Sequence, residues 1–95
     1  MSIRILSFAT EDIDSGRRFY ERQQQGLGVY FLDSIFSDID SLLLYASVHQ
    51  QIFGYYRSLS KRFPYAIYYK LNGEIIEVWR VLDCRQNPSR IAKLL

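Results

Sequence analysis

The chain opens on Ile3-Arg4-Ile5-Leu6-Ser7-Phe8, an apolar, β-rich run that reads as a first strand. A helical repeat takes over at once. Ala9, Ile13, Gly16 and Tyr20 recur at intervals of four, three and four residues, which is one face of a helix, and Phe19 widens it. Thr10 is the expected N-cap, with Glu11, Asp12 and Asp14 in a first turn where carboxylates complement the helix dipole. Gln23-Gln24-Gln25-Gly26 ends the helix, with Gly26 placed to adopt the left-handed conformation of a C-terminal cap. After the Gly26-Leu27-Gly28 turn, Leu32, Ile35, Ile39 and Leu42 form a second seam flanked by Phe31, Phe36 and Leu43. Asp33, Ser34, Ser37, Asp38 and Ser41 should face away from it. So short a connection predicts an antiparallel helical hairpin.

The period changes after Val48. Residues 52–58, 62–71 and 74–82 are rich in β-branched and aromatic side chains and read as three strands. Asn72-Gly73 predicts a type I′ hairpin turn, which needs two residues at positive φ. Pro64 has no N–H, so its strand must begin there or lie at an edge. Asn87-Pro88 starts a tail in which Ile91, Leu94 and Leu95 suit a short final helix. No linker or repeat divides residues 1–95, which read as one domain. The expected architecture is α+β: a strand, a two-helix antiparallel hairpin, then a three-stranded antiparallel sheet packed under that hairpin.

Composition narrows the function. At 48% hydrophobic and 16% aromatic, the chain has ample material for a core. No apolar run approaches the ~20 residues that cross a bilayer, and the N-terminus lacks the pattern of a secretory signal, so no membrane association is expected. A single cysteine, Cys84, cannot form an internal disulfide, which fits a cytoplasmic setting. With one histidine besides, a Cys/His zinc site is excluded, and no metal or cofactor is expected.

Net charge is only +2, but it is unevenly placed. Residues 1–47 hold four arginines against seven carboxylates, whereas residues 48–95 hold eight Lys and Arg against three. That asymmetry suggests a basic face in the C-terminal half for an anionic partner, nucleic acid or an acidic protein segment. Arginine outnumbers lysine nine to three, which favours planar recognition of carboxylate or phosphate. Tyr55, Tyr56, Arg57, Arg62, Tyr65, Tyr68, Tyr69, Trp79, Arg80 and Arg85 interleave rings with cations, an arrangement that can stack bases and hold phosphates. Half or more of these rings are expected simply to build core.

Catalytic constellations are scarce. His49 sits in a polar segment and reads as a loop histidine; Asp33, Asp38 and Asp40 lie on the polar side of a helix, without the apolar setting that raises a carboxyl pKa. Glu77 reads as a surface or cross-strand partner, and Cys84 as a structural thiol. Gly26-x-Gly28 lies between helices, not after a strand, and is no phosphate loop.

Two longer stretches resemble a known family. Phe19-Tyr20-Glu21-x-Gln23 with Gly26-Leu27-Gly28-x-x-Phe31-Leu32 is similar to the helical region of the RelE/ParE toxin superfamily. Arg57, then Lys61-Arg62-Phe63-Pro64-Tyr65-x-Ile67-Tyr68-Tyr69, then Val81-Leu82-Asp83-x-Arg85-x-x-Pro88, resembles its sheet. The resemblance implies the toxin of a type II toxin–antitoxin system, neutralised by a cognate antitoxin within a hetero-oligomer. RelE-like members cut mRNA on the ribosome with Arg and Lys side chains and often a tyrosine near the C-terminus; ParE-like members block DNA gyrase instead. For the nuclease alternative the matching residues are Arg57, Lys61, Arg62, Tyr65 and Arg85, with Tyr65 standing where nuclease members place an arginine. No tyrosine follows Arg85, and no arginine serves as a general base near neutrality, so the ParE-like branch is favoured. Its target-binding residues are expected to be Arg57, Arg62, Arg80, Arg85 and Arg90 on one shared patch; a non-toxic binding module that retains the fold is a further alternative.

Overall fold

The computed structural model describes residues 1–95. Strand β1 (Ser2–Ile5) leads into α1 (Ser7–Gln23) and α2 (Leu27–Asp40), followed by the single turn α3 (Leu42–Tyr45). Strands β2 (Gln50–Ile52), β3 (Tyr55–Leu59), β4 (Tyr65–Asn72) and β5 (Ile75–Asp83) come next, and α4 (Pro88–Leu94) closes the chain. The five strands form one sheet in the order β1-β5-β4-β3-β2. Four of them run antiparallel in sequence, while β1 joins β5 in parallel, with Ile5 opposite Val78.

The helical hairpin packs on one face of this sheet. Helix α1 buries Ala9, Ile13, Gly16 and Tyr20, the four positions its spacing picks out. They meet Phe31, Ile35, Ile39 and Leu42 from α2 and α3, and Tyr65, Ile67, Tyr69, Ile76, Val78 and Val81 from the sheet. Two glycines set how closely the helices approach. A Cβ at Gly28 would stand 2.8 Å from the backbone oxygen of Arg17, and one at Gly16 would stand 2.5 Å from Phe31 Cζ. Glu21 then satisfies the start of α2: its carboxylate accepts the N–H groups of Gly26, at 3.1 Å, and Gly28, at 2.9 Å. Those backbone bonds hold the Glu21 carboxyl below its ordinary range.

Several local expectations shift. Helix α1 begins at Ser7, so Thr10 lies inside it and bonds back to the Leu6 carbonyl at 3.4 Å, leaving no acidic residue in the first turn. Gly26 is left-handed as expected, at φ 89°, but stands as the N-cap of α2. The buried stripe of α2 is rotated toward Phe31, with Leu32 half-buried and Phe36 and Leu43 exposed. Ser34 and Asp38 turn inward instead of out; Asp38 is retained there because its carboxylate accepts Ser60 Oγ at 2.7 Å and the Lys61 N–H at 3.4 Å.

The sheet also gains a strand. Residues 50–59 fold as a β2–β3 hairpin around Phe53-Gly54, both at positive φ (53° and 82°), the requirement of a type I′ turn. The β4–β5 connection uses Gly73-Glu74 instead, since Asn72 still pairs with Ile75 and only Gly73 has positive φ (60°), as in a type II′ turn. Pro64 precedes β4, where its missing N–H costs no ladder bond. Asn87 caps α4, its Oδ1 accepting the Ser89 N–H at 2.9 Å, with Pro88 in the first turn.

Candidate target-binding surface

Period-two alternation along β4 sorts its side chains onto two faces. Tyr65, Ile67 and Tyr69 enter the core under the helical hairpin, while Ala66 and Tyr68 join a second, smaller core with Tyr55, Leu82 and Ile91. A bulge places Trp79 of β5 opposite no β4 residue, because Tyr68 pairs with Arg80 and Tyr69 with Val78. Trp79, Leu94 and Leu95 pack against the smaller core, so α4 covers part of the far face.

Arg57 is the cation of that far face. Its Nε donates to Tyr68 Oη at 3.3 Å and one Nη lies 3.7 Å from Cys84 Sγ. Burial works to lower the guanidinium pKa, but Tyr68 and Cys84 together outweigh it and hold the group above its ordinary value. Lys70 stands beside it in the same alternation, with Nζ 4.5 Å from the Tyr55 ring centroid and 5.1 Å from that of Trp79. The far face of β3, β4 and β5 thus presents two cations among three rings. Lys70 was not among the expected site residues, although the Ala66, Tyr68, Lys70 alternation carried the signal.

Arg80 and Arg90 belong to a different place. A cleft of about 330 Å³ lies between α1, the second half of β5 and α4, lined among others by Asp12, Tyr65, Arg80, Asp83, Gln86 and Arg90. Strand β1 pairs no further than Val78, and Asp12 takes over the uncovered edge. Its carboxylate accepts the Val81 N–H at 3.0 Å and two N–H bonds from Arg80, each 2.8 Å. Arg80 also donates to the Leu94 carbonyl at 3.1 Å and lies 5.3 Å from the Phe8 ring. The hydrogen bonds it donates to Asp12 raise its pKa. This guanidinium is committed to joining α1, β5 and α4.

The remaining candidates sit at the end of the sheet where β4 begins and β5 ends. Arg85 is exposed and forks onto Asp83, with N–H···O distances of 3.0 and 2.7 Å. The pair holds Asp83 below its ordinary pKa range and raises Arg85 above its own. Tyr65 lies beneath, buried against Tyr20 and Phe31, and burial pushes its phenol up to about 12. Lys61 and Arg62 are exposed in the β3–β4 connection, with Arg62 6.0 Å from the Tyr30 ring centroid.

The expected single basic patch is therefore divided, because strand alternation and the Asp12 pair dictate where each side chain goes. Arg57 lies on the far face, Arg80 and Arg90 line the cleft, and Arg62 and Arg85 occupy the sheet end on the hairpin side. His49 is no lone loop residue: its Nδ1 lies 2.6 Å from Tyr69 Oη, which also accepts the Ser47 N–H at 3.1 Å. No three His, Cys, Asp or Glu side chains converge in a way that could hold a metal ion.

No family model matches this sequence, and no curated protein does. Among solved structures, the chain is similar to the chromosomal ParDE TA system from P. aeruginosa, with a TM-score of 0.72 at 17% identity. The likeness covers 85% of this chain and 92% of that one. Strand, helical hairpin, antiparallel sheet and their order thus follow one known plan: the chain shares the fold of that ParDE structure.

Proposed function

We propose that the chain is the toxin of a type II toxin–antitoxin system, acting in the cytoplasm by binding a macromolecular target and neutralised by a cognate antitoxin within a hetero-oligomer. The fold shared with a ParDE system supports the toxin reading. Within it, the ParE-like branch is favoured, with DNA gyrase as the target, and one observation carries that choice. The residues that the nuclease alternative requires do not all converge: Lys61, Arg62 and Arg85 share the sheet end with Tyr65, but Arg57 does not. Tyr65 is 8% exposed in the core beneath the hairpin, whereas Arg57 lies on the opposite face of the sheet. Phosphodiester cleavage needs its acid, base and phosphate-holding groups within hydrogen-bond reach of one bond. A binding mechanism needs only accessible groups of suitable chemistry, and the half-buried Arg57 and Lys70 with the exposed Arg62, Arg85 and Arg90 offer these.

Induced expression of the chain alone is expected to arrest growth, and co-expression of its antitoxin to restore it. Purified protein should inhibit gyrase supercoiling and leave translated mRNA uncut. Codon-phased cuts with normal supercoiling would return the assignment to the ribosome-dependent nuclease. Unaffected growth at full expression would leave only a non-toxic binding module. Arg57→Ala is expected to weaken target engagement about tenfold through loss of a charge-assisted contact, while Arg17→Ala on α1 changes it little. Equal losses at both positions would refute a far-face contact.

A further inference from the structure

Helix α2 carries a polar pocket of whose lining the toxin reading uses Arg62 alone. Ser34, Ser37 and Asp38 lie one turn apart on a single face, and the β3–β4 connection brings Lys61 and Arg62 over them. The enclosed space is about 270 Å³, and none of its five lining residues is hydrophobic. Such a pocket next to an aromatic core is unusual chemistry for a packing defect. Ser34 is 4% exposed, yet its Oγ has no hydrogen-bond partner, an unfavourable state for a buried hydroxyl. Neither Lys61 nor Arg62 forms an ion pair, although Arg62 is steadied against the Tyr30 ring.

Asp38 defines what fits. Only its Oδ2 is used, by Ser60 Oγ and the Lys61 N–H; Oδ1 accepts no hydrogen bond from the protein. Two cations and two hydroxyls call for an oxyanion. The free carboxylate oxygen repels one unless that oxyanion brings a hydrogen of its own. Hydrogen phosphate and the monoanion of a phosphomonoester do so, whereas sulfate carries no proton near neutrality.

We propose that Ser34, Ser37, Asp38, Lys61 and Arg62 form a binding site for a protonated phosphate group, either inorganic phosphate or a small phosphomonoester. Lys61 and Arg62 neutralise the charge. The two serine hydroxyls donate to phosphate oxygens, which satisfies Ser34, and Asp38 Oδ1 accepts the P–OH hydrogen. Although Arg62 is shared with the proposed target contact, the site is tested separately, on the isolated chain without gyrase, ribosome or antitoxin.

The experiment titrates ¹⁵N-labelled protein with inorganic phosphate, 5′-AMP and sulfate at constant ionic strength. Saturable shifts confined to amides near Ser34, Ser37, Asp38 and residues 60–62 are expected for phosphate, with sulfate at least about tenfold weaker. Tighter binding of 5′-AMP than of phosphate would assign the site to a phosphomonoester; the reverse would assign it to the free ion. Lys61→Gln and Arg62→Gln alter exposed side chains and should each weaken binding about tenfold without unfolding the protein. Asp38→Asn, checked for native circular dichroism, should erase the preference over sulfate. No saturable shift up to about 20 mM, an affinity too weak to distinguish from bulk association, would overturn the proposal. Equal binding of sulfate, or titrations unchanged by Lys61→Gln, would overturn it as well.

Discussion

The two faces of the sheet are built on different physics. Under the helical hairpin, Tyr20, Phe31, Phe63 and Tyr65 pack ring to ring, with centroids between 4.7 and 6.3 Å apart. On the far face a five-residue core is bordered by Arg57 and Lys70, each held by aromatic or thiol neighbours and neither by a carboxylate. One face spends its aromatic residues on shape and the other on holding charge. The difference teaches where change is tolerated: the hairpin side resists it through packing, and the far side holds cations that no carboxylate neutralises.

Phe31→Ala attacks the hairpin side at its centre. Phe31 is fully buried, so the substitution should cost about 3–5 kcal/mol, read as a fall in the urea midpoint. A loss below about 1 kcal/mol would mean that this core is loosely packed. Asp12→Ala attacks the joint between the faces. It strands Arg80, whose side chain is only 16% exposed, and removes the acceptor of the Val81 N–H. About 2–3 kcal/mol should be lost, less than for a fully buried pair because water reaches both groups. Loss of α4 docking should accompany it as a change in Trp79 fluorescence.

Phe53→Asn sharpens the comparison at the sheet margin. Phe53 holds φ 53° while 57% exposed, so a residue that accepts the left-handed region loses little burial. An increase of about 1 kcal/mol is expected, seen as a higher melting temperature. A decrease would show that the Phe53 ring packs more than its exposure implies.

The smallest effect is electrostatic. Burial holds the His49 pKa below its ordinary 6.5 as the ring sits against Tyr69. The unfolded chain therefore binds this proton more readily, so the His49 contribution is complete above about pH 6.5 and is lost as pH falls toward the lower folded value. Glu21, depressed by the Gly26 and Gly28 N–H groups, adds a second loss of the same sign below its ordinary 4.5. His49→Gln should flatten the upper part of the melting-temperature profile and leave the acid limb in place. An unchanged profile near pH 6 would show that Tyr69 does not depend on a neutral imidazole.

Local periodicity carried much of this molecule. The α1 stripe, the start of β4 after Pro64 and the α4 helix were all legible because each depends on near neighbours in sequence. The β2–β3 hairpin was not, since Phe-Gly is a poor turn signal until both residues are forced to positive φ. Ser34 and Asp38 were expected to face solvent, and only the returning Ser60-Lys61 segment made an inward carboxylate stable. The cations were legible as residues but not as a constellation: alternation in β3 and β4 directs Arg57 one way and Tyr65 the other, and a bulge at Trp79 resets the phase beyond it.

Composition, spacing and turn residues determined by themselves that two helices and an antiparallel sheet would form, because backbone propensity and one-dimensional burial patterns act over a few residues. Which guanidinium is free and which is committed was decided only in three dimensions. Asp12 and Arg80 are 68 positions apart, and nothing in the order of residues shows that β1 stops short of the β5 edge they share. Ion pairing depends on that separation in space, so the tertiary structure alone assigned Arg80 to the scaffold and left Arg57 with no carboxylate partner.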